Sequence, residues 1–158
     1  MNDPLANQEF SEILPRLFLG GTPPARDHQV NPSPVPSEFP GIDLVCTFHK
    51  YSTPVIGETI ELRYFFEDDW NYGLKAESFA KIDEIASYAH TQWRAGKTVL
   101  LRCQGGRNRS GLVMGVLLLH AGYSADDAIA LMRERRHESV LFNVHFVASL
   151  REWVLPLK

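Results

Sequence analysis

Residues 98–111 read TVLLRCQGGRNRSG, and residues 112–119 continue as LVMGVLLL. An aliphatic, β-favouring run from Thr98 to Leu101 leads toward Cys103, a glycine-containing loop follows, and Arg109, Ser110 and Gly111 open an almost wholly apolar segment. Strand, tight loop and buried helix, in that order, build a cradle for an anion. Gly105 and Gly106 allow the backbone to curl so that the N–H groups of residues 104–109 turn inward. A helix beginning near Ser110 aims its positive end at the same point. A thiol at the start of the loop is favoured as the thiolate in that field and becomes a nucleophile. Arg109 offers a planar fork that fits two phosphate oxygens, which the point charge of a lysine does not. Gln104, Gly105, Gly106, Arg107, Asn108 and Arg109 are therefore the candidate substrate-binding residues, and the chemistry indicated is attack of sulfur on phosphorus. A cysteine with an arginine six positions later also arises by chance in structural loops. The joint requirement for a preceding strand, Gly106, a hydroxyl after the arginine and an apolar helix beyond is far narrower.

Length and composition bound the rest. At 158 residues, the chain is expected to form one catalytic domain over 1–158, burying about 70% of its unfolded surface. Hydrophobic residues make up 44% and charged residues 22%, ordinary values for a globular protein. The net charge of −3 gives no bulk attraction for nucleic acid, so no nucleic-acid partner is expected. Two cysteines do not make a disulfide scaffold and suit a reducing compartment. The opening MNDPLANQEF has neither a basic nor an apolar stretch of the secretory kind, and the apolar run 112–121 is too short to span a bilayer. A cytoplasmic monomer without membrane association is the expectation. No two histidines fall at metal-ligand spacing, so neither metal nor cofactor is expected.

Residues 13–21, ILPRLFLGG, read as a short strand or hairpin bounded by Pro15 and the Gly20–Gly21 pair. The proline-rich stretch 21–40 reads as an extended surface loop. Residues 42–48, IDLVCTF, form a buried strand in which Cys46 is a small apolar core residue. In 59–66, TIELRYFF, alternation places Ile60, Leu62, Tyr64 and Phe66 on one face, ahead of the acidic residues Glu67, Asp68 and Asp69. Helical spacing then runs from about Lys75 to Arg94 and stops at Gly96. Past the cradle, Ser124 and Asp127 frame a capping box for a helix to about Arg136, whose Arg133, Arg135 and Arg136 read as a dipole match on a solvated face. A last amphipathic helix occupies 143–154 with Asn143 as N-cap. Strands alternating with helices predict an α/β fold. It has a central mixed sheet of about four to five strands, flanked by helices and covered on both faces.

Three stretches resemble one family. Residues 103–110 are similar to the signature loop of the cysteine-dependent protein tyrosine phosphatase superfamily, His-Cys-x5-Arg-Ser/Thr, with Arg102 standing where the family carries histidine. In the family that histidine helps to orient the loop and tune the cysteine. The ILPRLFLGG segment resembles the opening of dual-specificity phosphatase domains. Arg136 and Asn143-x-x-Phe146-x-x-x-Leu150 resemble their closing segment, with Phe142 where proline is common. The resemblance spans about 13–154, the proline-rich stretch being its main gap.

The resemblance implies a protein tyrosine phosphatase-like fold and a phosphomonoester hydrolase. It would act on phosphotyrosine, phosphoserine or phosphothreonine in a phosphorylated protein or peptide, through a cysteinyl-phosphate intermediate. Cys103 is the implied nucleophile, Arg109 the phosphate clamp and Ser110 the hydroxyl that eases departure of the sulfur. The leaving oxygen needs a proton donor, which the family carries as an aspartate on a loop upstream of the cysteine. Asp68 and Asp69 are both candidates; the strand alternation continues through Asp68 on the face of Tyr64 and Phe66, which favours Asp68. Some members hold a second cysteine on the neighbouring strand, which makes Cys46 a possible redox partner of Cys103. The other readings are a phosphoinositide or RNA 5′-phosphate phosphatase on the same fold, a rhodanese-like sulfurtransferase, and a catalytically dead phospho-binding module. Few bases in the loop, an upstream acid, the Arg109-Ser110-Gly111 continuation and an intact Cys103–Arg109 pair weigh against them.

Overall fold

The computed structural model describes residues 10–21 and 37–156. The chain opens with a hairpin of β1 (Phe10–Leu14) and β2 (Leu17–Gly20), paired antiparallel. Its tight turn puts Arg16 at φ 69°, and that guanidinium donates to the carbonyls of Trp93 and Lys97. Short strands β3 (Ser37–Glu38) and β5 (Val55–Ile56) form a separate parallel pair, with β4 (Leu44–Thr47) between them in sequence. β6 (Ile60–Arg63), the long helix α1 (Ala76–Arg94) and β7 (Val99–Arg102) follow. Then come α2 (Arg109–His120), α3 (Ala125–Arg135) and α4 (Val144–Arg151).

The main sheet has five strands in the order β1-β2-β7-β4-β6, and every pair except β1–β2 is parallel. β7 lies between β2 and β4, and all four of its residues are buried. Cys103 therefore leaves the sheet at the carboxyl end of parallel strands, the edge at which open α/β sheets bind ligands. The apolar sequence of α2 is explained by its surroundings: Ser110 to Leu118 are all buried, with α1, α3 and α4 packed around it. At Gly115 a Cβ would lie 2.6 Å from Leu150 Cδ2, so glycine lets α4 close onto α2.

Both faces of the sheet are covered, by different means. Residues of all four helices share the larger core with Leu19, Leu44, Cys46 and Leu101. The opposite face carries Val45 and Leu100 with Ile42, Phe10, Phe18, Phe39 and Val55, and among the described residues no helix contributes to it. Several boundaries differ from expectation: the first hairpin begins at Phe10 and the strand expected over 42–48 is confined to Leu44–Thr47. The strand expected over 59–66 ends at Arg63, because β4 ends at Thr47 and its carbonyl accepts the Tyr64 N–H at 3.0 Å, leaving nothing further to pair with. The last helix ends at Arg151 rather than 154. Of the stretch expected as a proline-rich surface loop, residues 22–36 lie outside the described residues, and Ser37–Glu38 are strand. Among the described residues no helix is long and apolar enough to cross a membrane.

Candidate active site

The signature loop hangs from β7 and is fixed on β2. The N–H of Cys103 donates to the Gly20 carbonyl at 3.1 Å, which continues the β2–β7 ladder by one residue. The Cys103 sulfur, almost wholly buried, accepts the Gly106 N–H at 3.3 Å and lies 3.1 Å from the Ser110 hydroxyl. α2 starts at Arg109, so its unpaired N–H groups and positive end face this turn. Of the two loop glycines only Gly106 is demanded. It sits at φ 67°, and a Cβ there would come within 2.5 Å of the Gly20 carbonyl carbon and 2.6 Å of Arg136 Nη2. Gly105 meets open space.

A loop that turns its N–H groups inward turns its carbonyls outward, and these need donors. Arg136 supplies them. Its Nε donates to Gly106 O at 2.8 Å and Nη2 to Gly105 O at 3.4 Å, while Nη1 reaches Ser11 Oγ and Leu19 O, each at 3.1 Å. The expectation that this arginine lies on a solvated face is therefore corrected: it is buried beneath the loop. Arg133 is exposed and donates to the carbonyls of Val140 and Leu141, and Arg135 is exposed as expected. The available signal for Arg136 was its place in the closing segment.

The expected substrate-binding residues divide. Gln104 and Gly105 are exposed, Arg107 is half-buried, and its carbonyl accepts the Leu141 N–H at 3.0 Å. Arg109 is half-buried, and among the described residues nothing hydrogen-bonds or ion-pairs with its guanidinium. Asn108 is buried and its side chain does not turn into the cradle. Its Nδ2 donates to Asp68 Oδ2 at 2.9 Å, and its Oδ1 accepts the Asn143 N–H at 3.0 Å.

Asp68 is thus brought to the loop. Its other oxygen, Oδ1, accepts from Asn143 Nδ2 at 2.6 Å. Asn143 caps α4 as expected, its Oδ1 accepting the N–H groups of His145 and Phe146. Its contact with Asp68 was not foreseen. Asp69 has another occupation: its Oδ1 accepts the Asn71 and Tyr72 N–H groups at 2.8 and 2.9 Å. Those bonds, Tyr72 first, hold its carboxyl below the usual aspartate range. The β6 strand stops short of Asp68, yet the alternation persists through the extended chain, with Phe65 exposed and Phe66 buried.

Arg102 projects to the sheet face opposite Cys103 and is 2% exposed. Nε donates to Thr47 Oγ1 at 3.0 Å and Nη2 to Glu61 Oε2 at 3.2 Å, with further bonds to Thr53, and the guanidinium lies 4.9 Å from the centre of the Phe39 ring. Burial alone would raise the Glu61 carboxyl. The Thr47 hydroxyl, Arg63 and Arg102 together bring it below its ordinary value. Cys46 is fully buried on β4 opposite Leu101, two positions short of Cys103 along β7, and both cysteines are free. Burial, and then the charge of Glu61, push the Cys46 thiol up to about 12. The histidines are less solitary than expected. His120 Nε2 lies 3.2 Å from Asp83 Oδ1, which also accepts from Trp153 Nε1, far from the loop. Among the described residues no three of His, Cys, Asp and Glu are grouped to hold a metal.

Comparison with known proteins bears on this arrangement. The family model "Dual specificity phosphatase, catalytic domain" matches residues 54–154. Searched against curated proteins, the sequence has no match. Among solved structures, a mouse protein described as a dual specificity phosphatase, complexed with zinc tungstate, is 23% identical, with 96% of this chain and 90% of that one covered and a TM-score of 0.71. Human DUSP28 is 21% identical over 92% of each chain, TM-score 0.70. A human tyrosine phosphatase-like serine/threonine/tyrosine-interacting protein is 22% identical over 92% and 95%, TM-score 0.69. At these identities the structures establish a shared fold.

Proposed function

The chain belongs to the dual-specificity phosphatase family of cysteine-dependent phosphatases, and from that premise we propose that it removes phosphate from phosphotyrosine, phosphoserine or phosphothreonine in proteins, with Cys103, Asp68, Arg109 and Ser110 as catalytic residues. The observation that carries this reading is the bond between Asp68 and Asn108, 2.9 Å long, which ties a carboxylate to the loop that bears the thiol and the arginine. In the first step the Cys103 thiolate attacks phosphorus in line. The bond to the leaving oxygen breaks, and Asp68 delivers the proton that oxygen requires. Arg109 and the loop N–H groups hold the three equatorial oxygens, where charge accumulates. Water then attacks the cysteinyl phosphate and gives its proton to Asp68. The S–P bond breaks, and the sulfur departs with its charge met by the Ser110 hydroxyl and the Gly106 N–H.

RNA triphosphatases that resemble this family carry asparagine before the loop arginine, where Asn108 stands, but here its side chain is engaged with Asp68 and Asn143, which argues for acid-assisted hydrolysis of a monoester instead. Arg107 is the only base in the loop besides Arg109, fewer than an inositol-lipid headgroup with several phosphates calls for. We further infer a cytoplasmic monomer. The test is a side-by-side panel of phosphotyrosine, phosphoserine and phosphothreonine peptides, inositol phospholipids and triphosphate-ended RNA. Wild type should turn over phosphopeptides fastest, and Cys103→Ser should abolish turnover while still binding oxyanions. Preference for the lipids or the RNA would overturn the substrate assignment, and residual Cys103→Ser turnover within tenfold of wild type would overturn covalent catalysis.

A further inference from the structure

Asn108 and Asn143 stand at the N-caps of α2 and α4, yet Asn108 makes no side-chain cap bond to its own helix. A buried asparagine that leaves its cap position unused has another role. Here the hydrogen bonds fix which way both amides point. Asn108 Oδ1 is committed to the Asn143 N–H, and Asn143 Oδ1 to the N–H groups of His145 and Phe146. Each amide must then present its NH₂ outward from those bonds, and both meet Asp68, one on each oxygen. With relative exposures of 4% and 1%, neither asparagine can trade these bonds for water.

Resting on the assignment of Asp68 as the proton donor, we propose that Asn108 and Asn143 are positioning residues: an amide clamp that holds the acid against the signature loop before any substrate arrives. Other contacts latch the same segment. Asn143 Nδ2 also donates to the Asp69 carbonyl at 3.1 Å, and the Trp70 and Phe142 rings lie with centroids 4.7 Å apart. Asp69 closes the turn at Asn71 and Tyr72, and Gly73 sits so close to α4 that a Cβ there would meet His145 Cβ at 2.7 Å. The clamp suits an acid that must alternate between protonation states. Amide groups neither gain nor lose protons near neutral pH, and each carboxyl oxygen has two acceptor sites. One can stay on the asparagine while the other meets the leaving oxygen or the attacking water. No swing of the loop is needed to deliver the acid, in contrast to enzymes whose catalytic loops close only on substrate.

Asn143→Asp separates positioning from folding. The aspartate keeps an oxygen for the α4 cap but loses the NH₂ and sets a like charge beside Asp68. Full-length wild type, Asn143→Asp and Asp68→Asn are compared on phenyl phosphate, a poor leaving group, and on 2,4-dinitrophenyl phosphate, which leaves without a proton. The expected result for Asn143→Asp is a fall in kcat on phenyl phosphate of about tenfold to a hundredfold. Its KM should change little, and kcat on the dinitrophenyl ester should fall by less than about threefold. Asn143→Ser, which also caps but cannot reach Asp68, should show the same split, and it decides the matter if the aspartate variant does not fold. Equal losses on both esters, or none on phenyl phosphate, would overturn the clamp. If Asp68→Asn itself loses nothing on phenyl phosphate, the acid assignment is wrong and the clamp falls with it. A loss in Asp68→Asn without one in the Asn143 variants removes the clamp alone.

Discussion

Replacing Glu61 by glutamine should destabilise the protein more than replacing Arg102 by methionine, although both changes break the same ion pair. The asymmetry follows from what each partner keeps. Arg102 is 2% exposed, and its Nη2 lies 3.2 Å from Glu61 Oε2. Glu61→Gln takes a negative charge from beside a guanidinium that is almost wholly buried against Thr47, Thr53 and the Phe39 ring. Removing one partner of a buried pair typically costs about 3–5 kcal/mol. Glu61, by contrast, is less buried and keeps Arg63 Nε at 2.9 Å and the Thr47 hydroxyl at 2.6 Å when Arg102 is lost. For Arg102→Met the loss is of the order of one charged hydrogen bond, about 1.5–3 kcal/mol, partly offset by an apolar chain in an apolar layer. For a chain of this size, about 3 kcal/mol moves Tm by roughly 6–12 °C. The pH dependence has a defined sign. The Glu61 carboxyl titrates below its ordinary value of 4.5 in the folded state, so its contribution is present above that value and is lost as pH falls through the folded one. Urea unfolding of wild type, Glu61→Gln and Arg102→Met at neutral pH and again below pH 4 measures both effects. If Arg102→Met costs as much as Glu61→Gln, or if the gap between wild type and Glu61→Gln does not narrow in acid, the asymmetric pair is not what holds Arg102 in place.

Gly106→Ala should misshape the cradle, because its Cβ would collide with the Gly20 backbone at a left-handed φ, whereas Gly105→Ala should keep activity within a few-fold; phosphatase rates and oxyanion affinity of the two variants check this. Cys46 offers a second contrast. With its thiol pushed up to about 12 by burial and then Glu61, only about 10⁻⁵ of it is thiolate at neutral pH, too little to capture a Cys103 sulfenic acid quickly. Wild type and Cys46→Ser should therefore recover activity equally after brief peroxide and then thiol reductant, and faster recovery by wild type would establish Cys46 as a protective disulfide partner.

The parts of this molecule that were legible in the sequence are those written locally along the chain. Residues 98–119 carry strand, turn and buried helix within one stretch, and the structure renders them as β7, the loop and α2. Asn143 and Ser124 were legible as caps because capping is a contact with residues two or three positions away. What escaped was long-range: Arg136 bonds to carbonyls thirty and thirty-one residues back, and Asn143 to a carboxylate seventy-five residues back. An arginine just past a helix end and an asparagine just before one look the same in sequence whether their free groups meet water or a distant loop. Hydrogen-bond accounting narrows that ambiguity. A loop that curls its N–H groups toward a ligand must orient its carbonyls outward, and buried carbonyls require donors. The Gly106 carbonyl is buried in such a loop and calls for a donor, and the fixed fork of an arginine meets it and the neighbouring Gly105 carbonyl together. The sequence pattern thus implies that a residue like Arg136 exists, while only the packing of α3 against β1 selects which arginine it is.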